Sequence, residues 1–251
     1  MEVSQRVQCV DIGNTRTHIG IYENGKIQEQ TYIPTVDLLN AKEFPLSNLL
    51  KDDVPISYCS VVPKAEIELT RYTKLHGIKI FNLNINTIKI LPISYKFPDQ
   101  IGQDRLANSL AVYLTHHLPC IVIDIGTATT FDVIDKNNGY IGGVIAPGPQ
   151  GFLDFLHQNT ALLPKLQYSK QNCPRKIGQS TEEAMKIGTS IGYPAMVNGI
   201  INEIINDVKL FHKKTKIIST GGIKNLEIND SIEYFQHLTL SGLALAFFQN
   251  N

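Results

Sequence analysis

Two short strings carry the residue types that handle phosphate, Asp11-Ile-Gly-Asn-Thr-Arg-Thr17 and Asp124-Ile-Gly-Thr-Ala-Thr-Thr130. Glycine lets the backbone approach an anion closely and aim N–H groups at its oxygens, while Thr and Asn add neutral donors and acceptors. The aspartate supplies a hard oxygen ligand for Mg²⁺, directly or through water. A single such string is also what an aspartate that opens a turn and caps backbone amides looks like. The pair, about half a chain apart in one setting, is far less common by chance.

The setting fixes where the strings sit. Apolar, strand-like residues 7–10 and 121–123 precede them, and Ile19-Gly-Ile-Tyr-Glu-Asn-Gly-Lys-Ile27 and Phe131-Asp-Val-Ile-Asp-Lys-Asn-Asn-Gly-Tyr-Ile141 follow. Asn24-Gly25 and Asn138-Gly139 read as type I′ hairpin turns, in which both central residues need φ > 0. Each half therefore begins strand, acidic loop, strand, tight turn, strand. The expectation is an α/β protein with two nucleotide-phosphate loops on one duplicated fold.

Composition narrows the class. A length of 251 residues suggests one large domain or two small ones, and 43% hydrophobic residues can fill two cores. Lys plus Arg equals Asp plus Glu, so no global basic field would recruit nucleic acid or an anionic membrane. The start, Met1-Glu-Val-Ser-Gln-Arg6, lacks the halves of a signal peptide, and runs such as residues 120–123 are too short to span a bilayer. Cys9, Cys59, Cys120 and Cys173 lack any C-x-x-C spacing and read as small buried hydrophobes of a cytoplasmic protein. The His116-His117 pair lies before Pro119, at the expected end of a helix, where partial positive charge is favourable.

Between the repeats, Ile93-Ser-Tyr95-Lys-Phe-Pro98-Asp-Gln-Ile-Gly102-Gln-Asp104-Arg105 forms a loop feeding a helix that opens close to Arg105. Leu106, Leu110, Tyr113 and Leu114 fall on its buried stripe. Asp104 near the helix N-terminus could cap the first turn or do chemistry, and both readings stand. Ser180 with Glu183 makes a capping box that leaves Thr181 at the first helical position, facing the loop. The apolar pattern pauses at Gly192-Tyr-Pro194 and resumes at Met196, Ile200, Ile204, Val208 and Phe211, so Pro194 reads as a helix break or the first turn of a second helix. Lys216-Ile-Ile-Ser-Thr220 reads as a buried strand ending in Gly221-Gly222, which suits either a nucleotide base against backbone or an ordinary loop. Residues 238–248 read as an apolar helix docked on the fold.

Taken in order, Asp11-Ile-Gly-Asn-Thr-Arg16, Gly102-Gln-Asp-Arg105, Asp124-Ile-Gly-Thr-Ala128, Gly142-Gly-Val-Ile-Ala-Pro-Gly148, Thr181-Glu-Glu-Ala184 and Leu240-Ser-Gly242-Leu243 resemble type III pantothenate kinase over nearly the whole chain. The resemblance implies the acetate and sugar kinase/Hsp70/actin superfamily, with two ribonuclease-H-like domains, here residues 1–117 and 118–251, and ATP in the cleft between them. It implies ATP-dependent phosphorylation of pantothenate to 4′-phosphopantothenate, the first step of coenzyme A biosynthesis, with Mg²⁺ and a monovalent cation, K⁺ or NH₄⁺, in a homodimer. Asp11, Ile12, Gly13, Asn14, Thr15, Arg16, Thr17 and His18 match the family's first phosphate loop, and Thr127 matches a contact to ATP. Asp124 matches the monovalent-cation site. Asp104 matches the acceptor of the pantothenate hydroxyl proton, acting at an ordinary pKa near ~3.9. Gly102, Gln103, Asp104, Arg105 and Thr181 match pantothenate contacts, and Tyr95 an aromatic residue near that pocket.

The chain departs from the family pattern at Phe97, where an asparagine is common, at Gln103, where alanine is usual, and at Ser180, where asparagine often precedes the threonine. These changes bear on pocket shape more than on the reaction, since no charged group is lost. Two other functions share the phosphate loops: a kinase of the same superfamily with another small hydroxylated substrate, and a non-catalytic nucleotide-binding regulator. No G-x-x-x-x-G-K-[ST] string occurs, which argues against a Walker-type NTPase. The long apolar helix over residues 196–211 is a candidate dimer surface, and a core helix would look the same.

Overall fold

The duplication read from the two strings is realised as two sheets with one strand order, in a computed structural model that describes residues 6–40, 45–116, 118–169, 176–207, 215–223 and 232–250. The first sheet runs β3 (Lys26–Pro34), β2 (Arg16–Glu23), β1 (Arg6–Ile12), β4 (Ile56–Ser60), β5 (Ile80–Asn82). The second runs β8 (Gly139–Pro147), β7 (Ala128–Asp135), β6 (Cys120–Ile125), β9 (Lys216–Gly221), β10 (Ile232–Tyr234), the same order strand for strand. In the first sheet β1, β2 and β3 form an antiparallel meander, and β4 and β5 add in parallel to β1. In the second, β9 and β10 add in parallel to β6. Six helices accompany the described strands: α1 (Thr35–Asn40), α2 (Pro63–Leu75), α3 (Gln103–Thr115), α4 (Pro149–Gln158), α5 (Thr181–Asp207) and α6 (Leu238–Asn250).

By contact density the chain forms two units, one of Met1–Leu118, Val133–Gly142 and His237–Asn251, the other of Pro119–Asp132 and Gly143–Gln236. Within the first, β1 and β4 are buried along almost their whole length, and the polar side chains of Gln8 and Ser57 in them are hydrogen-bonded inside the fold. The edge strand β3 is instead rich in Lys, Gln and Glu and mostly exposed, as a solvated sheet edge must be.

The first hairpin turns as expected, with Asn24 at φ 51° and Gly25 at φ 82°. The second does not, because Gly139 has φ 64° while Asn138 is absent from the positive-φ residues. The Asp135 carboxylate accepts the N–H groups of Asn137 and Asn138, each at 2.9 Å, and holds a three-residue loop that closes on a left-handed glycine.

The expected break at Pro194 is also absent: α5 is one helix of 27 residues with Pro194 inside it. Proline removes one backbone hydrogen bond from a helix interior, and packing can outweigh that loss. Here Tyr193 is fully buried with its hydroxyl 2.7 Å from the Thr129 hydroxyl, and Thr189, Val197, Ile201 and Ile204 are buried along the same helix. Val208 and Phe211, like His117 and Cys173, lie outside the described residues.

Helix α6 returns to the first unit and lies across α3. The crossing depends on Gly242, since a Cβ there would stand 2.0 Å from the Ala107 carbonyl oxygen. Thr239 donates to the Asn108 side-chain oxygen at 2.9 Å, and Ser57 on β4 donates to the Leu243 carbonyl at 2.7 Å. Leu106 and Leu110 of α3 are fully buried as the sequence pattern requires, while Tyr113 and Leu114 are only partly covered. Replacing Gly242 with alanine forces the two helices apart. The Gly242→Ala variant should lose about 1–3 kcal/mol of stability, read as a lowered urea midpoint at unchanged slope.

Candidate active site

The first phosphate loop joins β1 to β2, and its own hydrogen bonds hold it closed. Gly13 donates its N–H to the Arg16 carbonyl at 3.1 Å, Thr35 Oγ1 donates to the Gly13 carbonyl at 2.7 Å, and the Thr35 N–H donates to the Thr15 carbonyl at 3.0 Å. The hydroxyls of Thr17 and Thr35 lie 3.0 Å apart. Asn14, Thr15 and Arg16 form the exposed tip, whereas Ile12, Thr17 and His18 are buried and anchor it. His18 stacks on Tyr32 with ring centroids 4.0 Å apart and meets the Gln30 side-chain oxygen at 3.1 Å. Burial brings its pKa down to about 4, so the ring is neutral near pH 7 and brings no charge to a phosphate.

At the end of β1, half-buried Asp11 is paired in register with Cys59 on β4, and the thiol donates to Asp11 Oδ1 at 3.3 Å. The Cys59 pKa is pushed well up by burial and then by the nearby Asp11 and Asp104 carboxylates, so two acids surround one protonated thiol. Nothing in the sequence tied Cys59 to either acid beyond its place at the end of Ile56-Ser-Tyr-Cys-Ser60, a short run that closes before Pro63.

Asp104 is the second residue of α3, whose N-cap Gly102 makes no side-chain cap bond. Its Oδ1 accepts the Arg105 N–H at 2.8 Å and so satisfies one of the first-turn amides. Its pKa is raised, not ordinary as expected from the sequence. Burial drives it up, and the Arg105 N–H and charge offset only part of that. The cap bond and a raised proton affinity therefore coexist on one side chain.

Arg105 is 7% exposed, with its guanidinium carbon 5.8 Å from the centre of the Tyr140 ring. Tyr140 in turn meets Tyr95 edge to face at 5.6 Å. Phe97 turns outward, 53% exposed beside the Lys96 ammonium. Gln103 turns inward, and its Oε1 accepts the Ser60 N–H at 2.8 Å and the Asn82 amide at 3.2 Å. The first unit thus gathers the loop from Asp11 to His18, Tyr95 and the whole Gly102–Arg105 turn.

In the second unit, the loop after β6 is closed by Gly126, whose N–H donates to the Ala128 carbonyl at 3.0 Å. Thr127 is exposed, and its carbonyl accepts the Gly148 N–H at 3.0 Å. Gly221, at φ 99°, lies so close that a Cβ would stand 2.6 Å from Asp124 Oδ1 and 2.4 Å from the Ile125 carbonyl oxygen. The first glycine of the pair after β9 therefore serves close approach to the acidic loop. Burial raises the pKa of Tyr193 to about 12 and raises that of Tyr234, with the Asp124 charge adding to both. Thr181 opens α5 on an exposed turn, where Ser180 Oγ accepts the Glu183 N–H at 3.2 Å. The Glu183 carboxylate takes the Gln179 N–H at 2.8 Å, one residue earlier than a capping box requires.

The model of the family described as type III pantothenate kinase matches residues 8–203, a span that includes both loops, the α3 start and Thr181. The chain belongs to that family. Curated type III pantothenate kinases from Methylacidiphilum infernorum and Akkermansia muciniphila are 33% and 34% identical to it, covering 94% of this chain in each case and 86% and 96% of their own. Among solved structures, a Campylobacter jejuni protein described as a Baf family transcriptional activator aligns over 97% of this chain and 98% of its own, with a TM-score of 0.63 and 20% identity. A ROK family glucokinase from Streptomyces griseus, in complex with glucose and AMPPNP, aligns over 95% of this chain and 98% of its own at a TM-score of 0.53 and 12% identity. Those two likenesses establish fold alone, the actin-like α/β fold of sugar kinases.

The raised pKa of Asp104 has a direct thermodynamic signature in this pantothenate kinase family member. A carboxyl that binds its proton more tightly when folded contributes stability below its unfolded pKa, and that contribution is lost as pH rises through the folded value. Asparagine stays neutral throughout. Asp104→Asn should therefore melt at a higher temperature than the wild type at pH 7, with the gap closing as pH falls from the raised value into the ordinary aspartate range and absent below it. A gap independent of pH would contradict the burial argument.

Proposed function

We propose that the protein transfers the γ-phosphoryl group of ATP to the hydroxyl of pantothenate, giving 4′-phosphopantothenate, the first committed chemistry of coenzyme A biosynthesis. The observation that carries this reading is the family match over residues 8–203, on a chain that keeps Asp11, Asp104, Arg105 and Asp124. Phosphoryl transfer asks a protein mostly for positioning and charge stabilisation. Asp104 accepts the hydroxyl proton as the new P–O bond forms, and its burial makes it a stronger base than an exposed aspartate. Arg105 clamps the pantothenate carboxylate, for which its planar fork is a bidentate match, while the Tyr140 face steadies it from the other side. Tyr95 packs beside that pair, and the Thr181 hydroxyl offers a neutral hydrogen bond to the same substrate.

Because Gly13 spends its N–H on the Arg16 carbonyl, the ATP phosphates are left to the exposed tip of Asn14, Thr15 and Arg16. Ile12, Thr17 and His18 act from beneath by holding the tip, and Thr127 makes a further contact to ATP. Asp11 offers Mg²⁺ a hard carboxylate oxygen and would hold it, directly or through water. Asp124, against which the Gly221 backbone is closely packed, would hold K⁺ or NH₄⁺. When bound, these cations supply positive charge to the phosphate oxygens.

We also read the protein as a cytoplasmic homodimer. Val197, Ile201 and Ile204, on the helix considered for the interface, are buried within the chain, so that face is a core face. Phe155, Leu162, Ile177 and Ile191 are instead exposed apolar residues of the second unit, between 47% and 91% accessible, and they offer the surface for a second copy. Light scattering should give twice the chain mass of 28.0 kDa, and a monomer at micromolar concentration would refute the dimer.

A coupled assay of ATP-dependent pantothenate consumption tests the reaction and its cation together. Activity should require potassium or ammonium and fail in sodium alone, and Asp124→Asn should abolish most of it. In the same assay Arg105→Lys, which keeps the charge and loses the fork, should raise KM for pantothenate at least tenfold more than KM for ATP, on the order of the 1.5–3 kcal/mol of a charged hydrogen bond. Equal activity in sodium would remove the cation from Asp124, and no turnover of pantothenate in any salt would remove the substrate.

A further inference from the structure

The side-chain oxygen of Gln103 is committed to the protein's own backbone and to a neighbouring amide. Its Oε1 accepts the N–H of Ser60, the last residue of β4, at 2.8 Å, and the side-chain amide of Asn82, the last residue of β5, at 3.2 Å. Asn82 is itself fixed, since its side-chain oxygen accepts Asn84 Nδ2 at 2.5 Å and its carbonyl accepts the Thr87 hydroxyl at 2.8 Å. Ser60 is fixed too, as its hydroxyl and the Val62 backbone exchange hydrogen bonds at 3.1 Å. One amide oxygen therefore ties the carboxyl ends of two parallel strands to the first residue of α3.

That tie sits where α3 is otherwise held least. The body of the helix is held by α6, through Gly242 against Ala107 and Thr239 on Asn108. Its start has Gly102 as N-cap and no side-chain cap there, and the Asp104 bond to the Arg105 N–H lies within the first turn and does not tie it to the rest of the fold. Asp104 follows Gln103 directly, and Cys59, which bonds Asp11, precedes Ser60. A shift of the first turn would move one acid relative to the other, and misplacement by about 1 Å can cost on the order of 100-fold in rate.

We propose that Gln103 is a positioning residue, whose amide oxygen sets the Asp104 carboxylate against the end of β4 and makes no contact with pantothenate. This rests on the kinase reading with Asp104 as base. The amide is also the suitable chemistry for the place. A glutamate could accept the same two hydrogen bonds but would put a second negative charge beside Asp104, and a leucine of similar size could accept neither.

Three readouts on Gln103→Leu and Gln103→Glu test the proposal. The leucine variant should lose roughly 10- to 100-fold in kcat while KM for pantothenate stays within about twofold. The glutamate variant should recover most of kcat at high pH, with the acid limb of its rate profile moved to higher pH than in the wild type. Exchange of the Ser60 amide hydrogen should quicken in the leucine variant and not in the glutamate variant. A leucine variant with raised KM and intact kcat would make Gln103 a substrate contact and overturn the proposal, as would unchanged kinetics. If the wild type fails to phosphorylate pantothenate, the function falls, whereas Ser60 exchange still decides the tether: quickened exchange upholds it and unchanged exchange sinks it.

Discussion

Because β1 and β4 run parallel with Asp11 opposite Cys59, the end of one strand and the end of the other are forced to the same edge of the first sheet. Parallel strands end together at their carboxyl termini, which is where open α/β sheets collect their ligands. Everything else in the first unit respects that edge. The β1–β2 loop starts there, Gln103 holds α3 to it, and the buried thiol of Cys59 separates two acids without adding charge. A slip of one residue in the β1–β4 register would turn Asp11 to the opposite face of the sheet and leave the loop without its acid.

The electrostatics of that edge raise the proton affinity of Asp104. A buried carboxylate is destabilised by lost hydration, and Asp104 recovers only part of this from the Arg105 N–H and guanidinium. Arg105 cannot give up its own charge, and it rests over Tyr140, where a ring face attracts a cation without neutralising it. The result is an acid of raised proton affinity next to a permanent, buried cation, on consecutive residues.

Much of this was legible before any coordinates. Asp-Ile-Gly repeated in one strand-and-turn setting pointed to two like-ordered sheets, because apolar runs flanking a turn are local signals. What stayed hidden depends on residues distant in sequence. Pro194 looked like a break because its cost is local, while its compensation, Tyr193 on Thr129, spans 64 positions. Asn138 looked like a type I′ turn residue because the competing acceptor, Asp135, is invisible to a dipeptide rule. Gln103 matched a substrate-contact position, and only the fold brought Ser60 and Asn82 to its amide oxygen. The raised pKa of Asp104 is likewise a property of burial, which no motif records.

The two loops are versions of one string that meet different surroundings. Asp11 sits by a thiol on a loop whose exposed tip carries Asn14, Thr15 and Arg16, a setting rich in donors to an anion. Asp124 instead has Gly221 pressed against it and two phenols nearby, and Gly221 brings its backbone closer than any residue with a Cβ could. Backbone and phenol groups crowd the second acid, whereas the first stands at an open, donor-rich loop, so duplication supplied the acid twice and the neighbours made the two settings unlike.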